Sequence, residues 1–351
     1  MAIAFIDGTV VVGDGRVLEH ATVLVNGEKI EKVAEKNVSI PKDAKKIPMD
    51  GQVLLPGFID SHVHLCFDSS PDPMTSALTE SQTMTTLKAA KAARQTLLAG
   101  VTAVRDMGGK DGIDLELRQA INLGLIPGPR ILASGKLICM TGGHGWQVGL
   151  EVNGVDAVRK AAREQVKAGV DIVKLMALRA GIDSIEHGVY LDEEAVSLMV
   201  EKNVPLIPTL SALFNILNKG IEAGIPAFAV EKTLKVKPFH LESVRVARAA
   251  GVRIAMGTDA GTPFNIHGDN LRELKLLVDC GFSPLEAIEA GTRIAAQVLG
   301  MENRLGTIEE GKLADLVLFE GNPLEDIEIL LKRDLIRLVI KGGKKVSGEL
   351  F

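Results

Sequence analysis

Short runs of branched apolar residues alternate with amphipathic stretches through the middle of the chain. These runs lie at 58–64, 102–106, 130–135, 172–174, 184–187, 204–208 and 253–259. Short apolar runs separated by helical patterns are typical of β/α units that build a parallel sheet. The pattern therefore predicts an α/β fold with seven strands in this part of the chain.

The two ends of the chain follow a different pattern, in which short β-type runs are separated by turn signals. The runs at 9–12 and 22–25 are bounded by Gly-Asp-Gly at 13–15 and by Asn-Gly at 26–27. Asn-Gly between apolar runs is the strongest short-range signal for a hairpin. The runs at 314–319 and 336–343 look the same, so we expect hairpins at both ends.

The composition excludes several classes of partner. A net charge of −5, one Trp and one Tyr provide neither a basic stripe nor stacking surfaces for nucleic acid. The apolar runs are short and interrupted by charge, and the N-terminus has no leader pattern, so we expect neither a membrane span nor a secretion signal. Three widely spaced cysteines form no disulfide framework, which favours the cytoplasm. The oligomeric state stays open, with a homo-oligomer as one alternative.

His62 and His64 end the first predicted strand, two residues apart. Side chains alternate between the two faces of a strand, so both imidazoles point the same way and are able to bind one ion. The carboxyl ends of barrel strands are where barrel enzymes carry their chemistry. The alternative is two polar residues at a strand exit without a ligand.

Three later strand ends carry Lys174, His187 and Asp259. A lysine ammonium does not bind a cation, but burial lowers the pKa of lysine, and the neutral amine can add carbon dioxide. The resulting carbamate offers oxygen ligands that can bridge two metal ions. The strand ends together therefore favour a metal site.

The chain resembles the amidohydrolase superfamily, in the branch of imidazolonepropionase, prolidase-type dipeptidases and related carboxypeptidases. The matching segments are 55–64 (LPGFIDSHVH), 100–106 (GVTAVRD), 184–188 (SIEHG), 257–261 (GTDAG) and 306–317 (GTIEEGKLADLV). The resemblance implies a (β/α)8 TIM-like barrel at 57–309, flanked by a composite β-sandwich from 1–56 and 310–351. It also implies two divalent metal ions, zinc by preference, whose ligands are His62, His64, carboxylated Lys174, His187 and Asp259.

One departure from this family concerns the chain between Lys174 and His187. The family has another metal-binding histidine on a strand between those two, and this chain has none there. The two residues are 13 positions apart, whereas a crossover alone takes at least about a dozen residues besides its strands. We interpret 175–181 as a strand end fused to a helix end. Either a stretch of roughly fifty residues is missing from this sequence or the barrel is one unit short, and the first fits usual barrel sizes better.

Two further residues are candidates for binding substrate. His144 lies in the glycine-rich segment 141–146, and Tyr190 follows His187 by three positions. In the dipeptidase-like members that the chain resembles, residues at these positions hold the α-carboxylate of the substrate. The alternatives are a solvent-facing turn for His144 and a packed aromatic ring, with its hydroxyl bonded to the backbone, for Tyr190.

Five other polar residues are expected to have supporting roles or none. We expect Arg105 and Asp106 to form a structural ion pair beside the site. Asp60 shares a strand face with His62 and should support it. His240, in the helical stretch 230–250, is assigned to the surface or to helix packing, and His267 follows Asp259 in a loop.

The predicted reaction is metal-assisted hydrolysis of an amide bond, with Asp259 taking the proton of the attacking water and returning it to the leaving nitrogen. A dipeptide or an N-acyl amino acid with a free carboxylate is the preferred substrate. A cyclic amide hydrolase or deaminase of the imidazolonepropionase type is the alternative among enzymes. A non-catalytic barrel that acts as a binding or scaffold protein is the alternative of another class.

Overall fold

A computed structural model describes residues 2–35, 38–174 and 182–348. The chain divides into two compact units. The first consists of Met1–Ile59, Leu97–Thr102 and Leu271–Phe351, and the second of Asp60–Thr96 and Ala103–Asn270. The segment 175–181, which we interpreted as a strand end fused to a helix end, lies outside the described residues.

The strands are, in chain order, β1 Ala2–Val11, β2 Val17–Asn26, β3 Lys29–Ala34, β4 Lys45–Pro48, β5 Gln52–Pro56, β6 Phe58–Val63, β7 Val101–Asp106, β8 Arg130–Ala133, β9 Ile138–Cys139, β10 Leu150–Glu151, β11 Ile185–Glu186, β12 Leu206–Ile207, β13 Leu316–Glu320, β14 Ile336–Lys341 and β15 Lys344–Gly348. The α-helices are α1 Pro73–Thr79, α2 Gln82–Leu98, α3 Ile113–Asn122, α4 Val155–Ala168, α5 Glu193–Glu201, α6 Leu210–Lys219, α7 Ala227–Ala249, α8 Arg272–Asp279, α9 Pro284–Ala290 and α10 Arg293–Val298.

The first unit contains one sheet built from both ends of the chain. Its strand order is β15-β14-β13-β5-β1-β2-β3, and β4 pairs with β1. The hairpins predicted at both ends are confirmed, since β2 pairs antiparallel with β1 and with β3, and β14 with β13 and with β15. Pairing of β5 with β13 joins the N-terminal strands to the C-terminal strands. The division into a sandwich of 1–56 with 310–351 and a barrel of 57–309 stays a prediction.

One face of this sheet is buried in an apolar core. Its members come from both ends of the chain and include Phe5, Val23, Leu54, Leu318 and Leu338, each at most 3% exposed. Along β2 the residues 23–25 are all buried and 19–20 are exposed, whereas β5 and β13 are buried along most of their length. Burial of a side chain the size of leucine stabilises a fold by about 1.5–3 kcal/mol, so the two ends of the chain stabilise each other.

Hydrogen bonds arrange the short apolar runs of the second unit side by side. β6, β7 and β8 form one sheet, and β11 pairs with β12. The run 254–260 lies between these groups, because it bridges in parallel to Val63 and to Leu206. The amide of Asp171 donates to the carbonyl of Ala133 at the far side of β8. The lateral order is therefore 171–174, β8, β7, β6, 254–260, β12, β11.

The predicted strands are found with two differences. Five of the seven runs form regular strands, and 253–259 forms an isolated bridge. The run 172–174 has no strand assignment, although it lies beside β8 and the carbonyl of Lys174 accepts from the amide of Ile138. Helices α2 to α7 follow the runs in alternation, as the sequence pattern predicted for β/α units.

Two smaller predictions concern cysteines and membranes. Cys66, Cys139 and Cys280 are buried and lie outside any disulfide, so they are packing residues. Each helix within the described part of the chain is too short or too polar to cross a bilayer.

Asp60 joins β6 to the run that carries Asp259. Its buried carboxylate accepts hydrogen bonds from the amides of His62 and Thr258, from the Thr258 hydroxyl at 2.6 Å and from the Asn270 side chain at 2.7 Å. The expectation that Asp60 supports the site is consistent with these bonds. A buried carboxylate with four donors fixes two adjacent strand ends in one register.

Replacement of Asp60 by alanine should destabilise the second unit strongly, because four buried donors lose their acceptor. We expect Asp60→Ala to lower the free energy of unfolding by about 3 kcal/mol or more. Asp72→Ala is the matched control, since Asp72 caps the exposed start of α1 and such a cap is worth about 1 kcal/mol. Urea titration of both variants makes the comparison, and equal losses would contradict the role of Asp60.

Candidate metal centre

Strand ends bring four of the predicted ligands into one cluster. Asp259 Oδ1 lies 3.4 Å from His62 Nε2 and 3.3 Å from His64 Nε2. Lys174 Nζ lies 3.3 Å from His62 Nε2. The prediction that His62 and His64 share one face of a strand therefore agrees with the structure, and the Asp259 carboxylate lies close to both rings.

His187 completes the cluster from the end of β11. Its ring centre is 5.0 Å from that of His62. Donor atoms of His62, His187 and Asp259 all lie within 4.8 Å of one another, close enough for one divalent ion. Two imidazoles with a carboxylate are a donor set that suits zinc and related ions.

All three imidazoles are held through Nδ1 by acceptors of the protein. Nδ1 of His62 lies 2.6 Å from Glu186 Oε2, Nδ1 of His64 lies 2.5 Å from the Gly108 carbonyl, and Nδ1 of His187 lies 2.6 Å from Thr209 Oγ1. A carbonyl or a carboxylate has no proton to donate, so Nδ1 must carry the hydrogen. In the neutral ring the lone pair is then on Nε2, which is the tautomer that a metal ligand requires.

Thr209 fixes the tautomer of His187 although a hydroxyl can either donate or accept. Its hydroxyl donates to the carbonyl of Pro208 at 2.7 Å. The hydroxyl oxygen is therefore left to accept from His187 Nδ1. The chain of bonds from Pro208 to His187 leaves Nε2 of His187 as the free donor atom.

Glu186 anchors His62 and is itself held by two donors. Its Oε1 accepts from Arg105 Nη2 and from Ser184 Oγ, both at 2.7 Å. Burial raises the pKa of Glu186, but the Arg105 charge and the bond to His62 lower it further, so its pKa lies well below the ordinary value. Glu186 is consequently a carboxylate at neutral pH.

The expected ion pair between Arg105 and Asp106 is wrong. Arg105 bonds to Glu186, Ser184 and the Ser61 carbonyl. Asp106 instead accepts from the amides of Leu65 and Gly108. Neighbours along a strand point to opposite faces, so the two side chains of β7 have separate partners.

Asp106 acts on His64 through the backbone. By accepting from the Gly108 amide at 2.9 Å, it fixes the residue whose carbonyl holds His64 Nδ1. Burial and the nearby Asp114 raise the pKa of Asp106 to about 7. The bond that holds His64 therefore depends on Asp106, for which the sequence had suggested only an ion pair.

Burial and the neighbouring charges shift the pKa values of the candidate ligands in different directions. Burial and the Lys174 charge act to lower the pKa of His62, but bonds to Asp259 and Glu186 outweigh them and raise it. Burial lowers the pKa of His64 and of Lys174, and burial with the His62 charge lowers that of His187 to about 3. Burial raises the pKa of Asp259, yet both His62 and His64 lower it well below its ordinary value.

Three residues of the centre have a backbone conformation that side chains other than glycine rarely adopt. The φ angles of His187, Thr209 and Asp259 are 65°, 56° and 60°. Residues in the left-handed region cost free energy and concentrate at functional sites, where the surrounding structure holds them. The strain therefore coincides with the candidate ligands.

The two predicted substrate residues are not drawn into the buried cluster. His144 is exposed at the surface of its loop, and Tyr190 is 66% exposed, with its ring 5.3 Å from that of Phe239. Partial desolvation and the Lys174 charge lower the pKa of His144, and Asp259 acts in the opposite direction. His144 is thus within electrostatic reach of the cluster.

His240 and His267 have positions that the sequence left undecided. His240 is fully buried in α7, so it packs inside the unit and is absent from the surface. His267 is 3% exposed, and its Nε2 lies 3.3 Å from the Phe67 carbonyl. A substrate contact by His267 is not supported by this burial.

Sequence reasoning missed Glu186 and Thr209 as holders of the imidazoles. Glu186 had a signal, because an acidic residue inside a short apolar strand next to a candidate histidine ligand is a plausible partner for an imidazole. Thr209 had a weaker one, since it stands at the end of the strand run 204–208. Neither feature of the sequence indicates which imidazole the residue holds.

A curated relative covers nearly the whole chain. Ochratoxinase of Aspergillus niger is 28% identical over an alignment of 424 positions, which covers 97% of this chain and 86% of the relative. The similarity includes the strand ends that carry the candidate ligands.

Two solved structures are similar over their full length. A Xaa-Pro dipeptidase with methionine bound in its active site has a TM-score of 0.89 at 30% identity, and covers 99% of this chain and 100% of its own. A prolidase complexed with N-methylphosphonate-L-proline has a TM-score of 0.90 at 28% identity, with the same coverage. These likenesses indicate a TIM-like barrel with an additional domain.

The family follows from a match along most of the sequence. The sequence model of the Amidohydrolase family matches residues 53–178 and 173–346. With the ochratoxinase and dipeptidase relatives, this match makes the chain an enzyme, and the alternative of a non-catalytic scaffold is set aside. The chain belongs to the amidohydrolase family, as a hydrolase that acts on amide carbon-nitrogen bonds.

Proposed function

We propose that this protein hydrolyses the amide bond of a dipeptide or an N-acyl amino acid with a free carboxylate, in a reaction that depends on divalent metal. The observation that carries the proposal is the Nδ1 tether on each of three imidazoles, two of them buried, whose cluster also contains Asp259 and Lys174. Such pre-oriented nitrogen donors are the arrangement that metal hydrolases use.

For the fold, we propose a (β/α)8 barrel that is one β/α unit short in this sequence. The lateral order of strands ends with 171–174 on one side and β11 on the other. The family match also breaks into two segments that meet at 173–178, and the ochratoxinase alignment is longer than this chain of 351 residues. All three observations support a missing unit directly after Lys174.

For the metal, we propose two divalent ions, zinc by preference, with Lys174 carboxylated as the bridge between them. His62, His64, His187 and Asp259 would hold the ions together with the Lys174 carbamate. The buried amine of Lys174, with its lowered pKa, is suited to adding carbon dioxide. Divalent metal, when bound, lowers the pKa of water and polarises the carbonyl of the substrate.

The side chains of this chain supply proton transfer and charge. Asp259 Oδ1 lies 3.4 Å from His62 Nε2 and 3.3 Å from His64 Nε2, and its low pKa keeps it ionised. We assign to Asp259 Oδ the proton of the attacking water, which it returns to the leaving nitrogen. Glu186 keeps its negative charge beside His62 throughout, because Arg105 and Ser184 hold it.

For the substrate, we propose that His144 and Tyr190 bind the free carboxylate. The proposal is supported by the two similar structures, since one has methionine in its active site and the other an analogue that contains proline. Both compounds carry an α-carboxylate. His144 lies within electrostatic reach of Lys174, and Tyr190 is on the loop that follows His187.

Glu186→Gln should weaken metal binding without changing any ligand. A glutamine offers one carbonyl oxygen to three donors, from His62, Arg105 and Ser184, so at least one donor faces an amide NH2 group. We expect the Kd for Zn²⁺ to rise about ten- to a hundredfold, measured by competition with a chromophoric chelator. Glu80→Gln is the control, because Glu80 pairs with Lys88 outside the cluster. Equal Kd values for the two variants would remove Glu186 from this role.

Asp259→Asn should abolish turnover while the protein stays folded, because an amide cannot accept the proton of water. The loss in kcat should be about a hundredfold or more at saturating metal. Asp68→Asn is the matched control, since Asp68 pairs with Lys88 and has no assigned role in catalysis. Elemental analysis and the melting temperature accompany the rates. Near-normal hydrolysis by Asp259→Asn would refute the assigned proton transfer.

Tyr190→Phe should impair hydrolysis of free-acid substrates and leave that of their C-terminal amides nearly unchanged. A hydrogen bond to a charged group is worth about 1.5–3 kcal/mol, or roughly ten- to a hundredfold in kcat/KM. Rates of both proteins with both substrates form a double cycle. Equal losses for acid and amide would show that Tyr190 does not bind the carboxylate, and would favour a cyclic amide as substrate.

A further inference from the structure

The loop that follows β11 carries both His187 and Tyr190, and we refer to residues 187–191 as the Tyr190 loop. It begins with two successive residues in the left-handed region, His187 with a φ of 65° and Gly188 with a φ of 62°. Two such residues in a row do not persist by local preference, particularly when the first is not glycine. The loop therefore needs partners elsewhere in the unit to keep this conformation.

Ser243 of α7 supplies two of these partners with a single hydroxyl. Its Oγ donates to the carbonyl of Val189 at 3.0 Å and accepts from the amide of Leu191 at 3.0 Å. Ser243 is 4% exposed, so these bonds are shielded from competing water. The two bonded residues are the immediate neighbours of Tyr190, one on each side.

A second contact from the same helix face reaches Tyr190 itself. Phe239 is four residues before Ser243 on α7, and residues four apart lie on one face of a helix. The rings of Phe239 and Tyr190 are 5.3 Å apart at an angle of 48°. One helix face thus holds the backbone on both sides of Tyr190 and also packs against its ring.

We infer that Ser243 is a positioning residue, which fixes Tyr190 through the backbone of Val189 and Leu191 in a conformation suited to substrate binding. The consequence for catalysis rests on the proposed role of Tyr190. The positioning itself does not, because it follows from the two hydrogen bonds and the ring contact.

The metal centre has separate supports, so a loss of Ser243 should spare it. The amide of His187 donates to the Ile207 carbonyl at 2.8 Å, and its ring is held by Thr209. Ser243 contacts only the part of the loop beyond Gly188. A change at Ser243 should therefore act on KM for free-acid substrates and leave kcat and metal content unchanged.

The experiment uses the fact that Tyr190 is the only tyrosine of the chain. Incorporation of 3-fluorotyrosine gives one ¹⁹F resonance, which reports the environment of this ring in the full-length protein whether or not a substrate is hydrolysed. We expect Ser243→Ala to move the resonance toward its position in urea-denatured protein. KM for a free-acid dipeptide should rise roughly three- to tenfold, as for the loss of neutral hydrogen bonds.

Two variants control for damage to the helix. Thr233→Val removes a buried hydroxyl of α7 that bonds only to the Ala229 carbonyl of the same helix, and it should leave the resonance and KM unchanged. Ser243→Thr keeps the hydroxyl and should restore most of the wild-type resonance. Phe239→Leu changes a half-exposed residue and should move the resonance even if Ser243→Ala folds poorly.

The outcomes separate the two proposals. A resonance that is the same in wild type and Ser243→Ala would overturn the positioning role. A moved resonance with unchanged KM, while Tyr190→Phe also leaves KM unchanged, would support the positioning role and refute the substrate role of Tyr190. A moved resonance with unchanged KM, while Tyr190→Phe raises KM, would overturn the link between Ser243 and substrate binding.

Discussion

The chemistry of the centre depends on one constraint, which is that a buried imidazole must bond through one nitrogen to leave the other free. The side chain of His62 is wholly buried, and that of His64 nearly so, so an unbonded Nδ1 would be costly in either ring. Glu186, the Gly108 carbonyl and Thr209 remove this cost for the three rings. The same bonds select the tautomer. The hydrogen bonds that buried Nδ1 atoms need are therefore also the bonds that leave Nε2 available to a metal ion.

Each residue that holds an imidazole is itself held by a further residue on a strand or beside one. Glu186 requires Arg105 of β7, Gly108 requires Asp106 of the same strand, and Thr209 requires the carbonyl before it. Each strand end therefore contributes a ligand, or the residue that holds a ligand from the next strand. None of these tethers comes from the chain beside Lys174, so the proposed missing unit there would leave the bonds that hold the three imidazoles intact.

The sequence predicted the features that follow from periodicity. It failed where a contact depends on which strands are neighbours, or where one residue has an unusual backbone angle. Alternation placed His62 and His64 on one face, and apolar runs placed Lys174, His187 and Asp259 at strand ends. Glu186 and Thr209 escaped because their partners depend on strand neighbours that are distant in the sequence. A φ of 65° at His187 also breaks the alternation that strand rules assume. Arg105 and Asp106 illustrate the reverse error, in which adjacency in sequence suggested a contact that strand geometry forbids.

The candidate ligands and the proposed substrate residues differ in their exposure to solvent. The imidazoles and Asp259 are fixed by bonds inside the unit, whereas His144 and Tyr190 lie on exposed loops. Loops tolerate change that a close-packed interior does not. Proteins similar to this chain include an ochratoxinase and a prolidase, whose names indicate different substrates. We therefore expect the metal centre to set the reaction, and the loop contacts made by α7 to set how firmly the substrate is held.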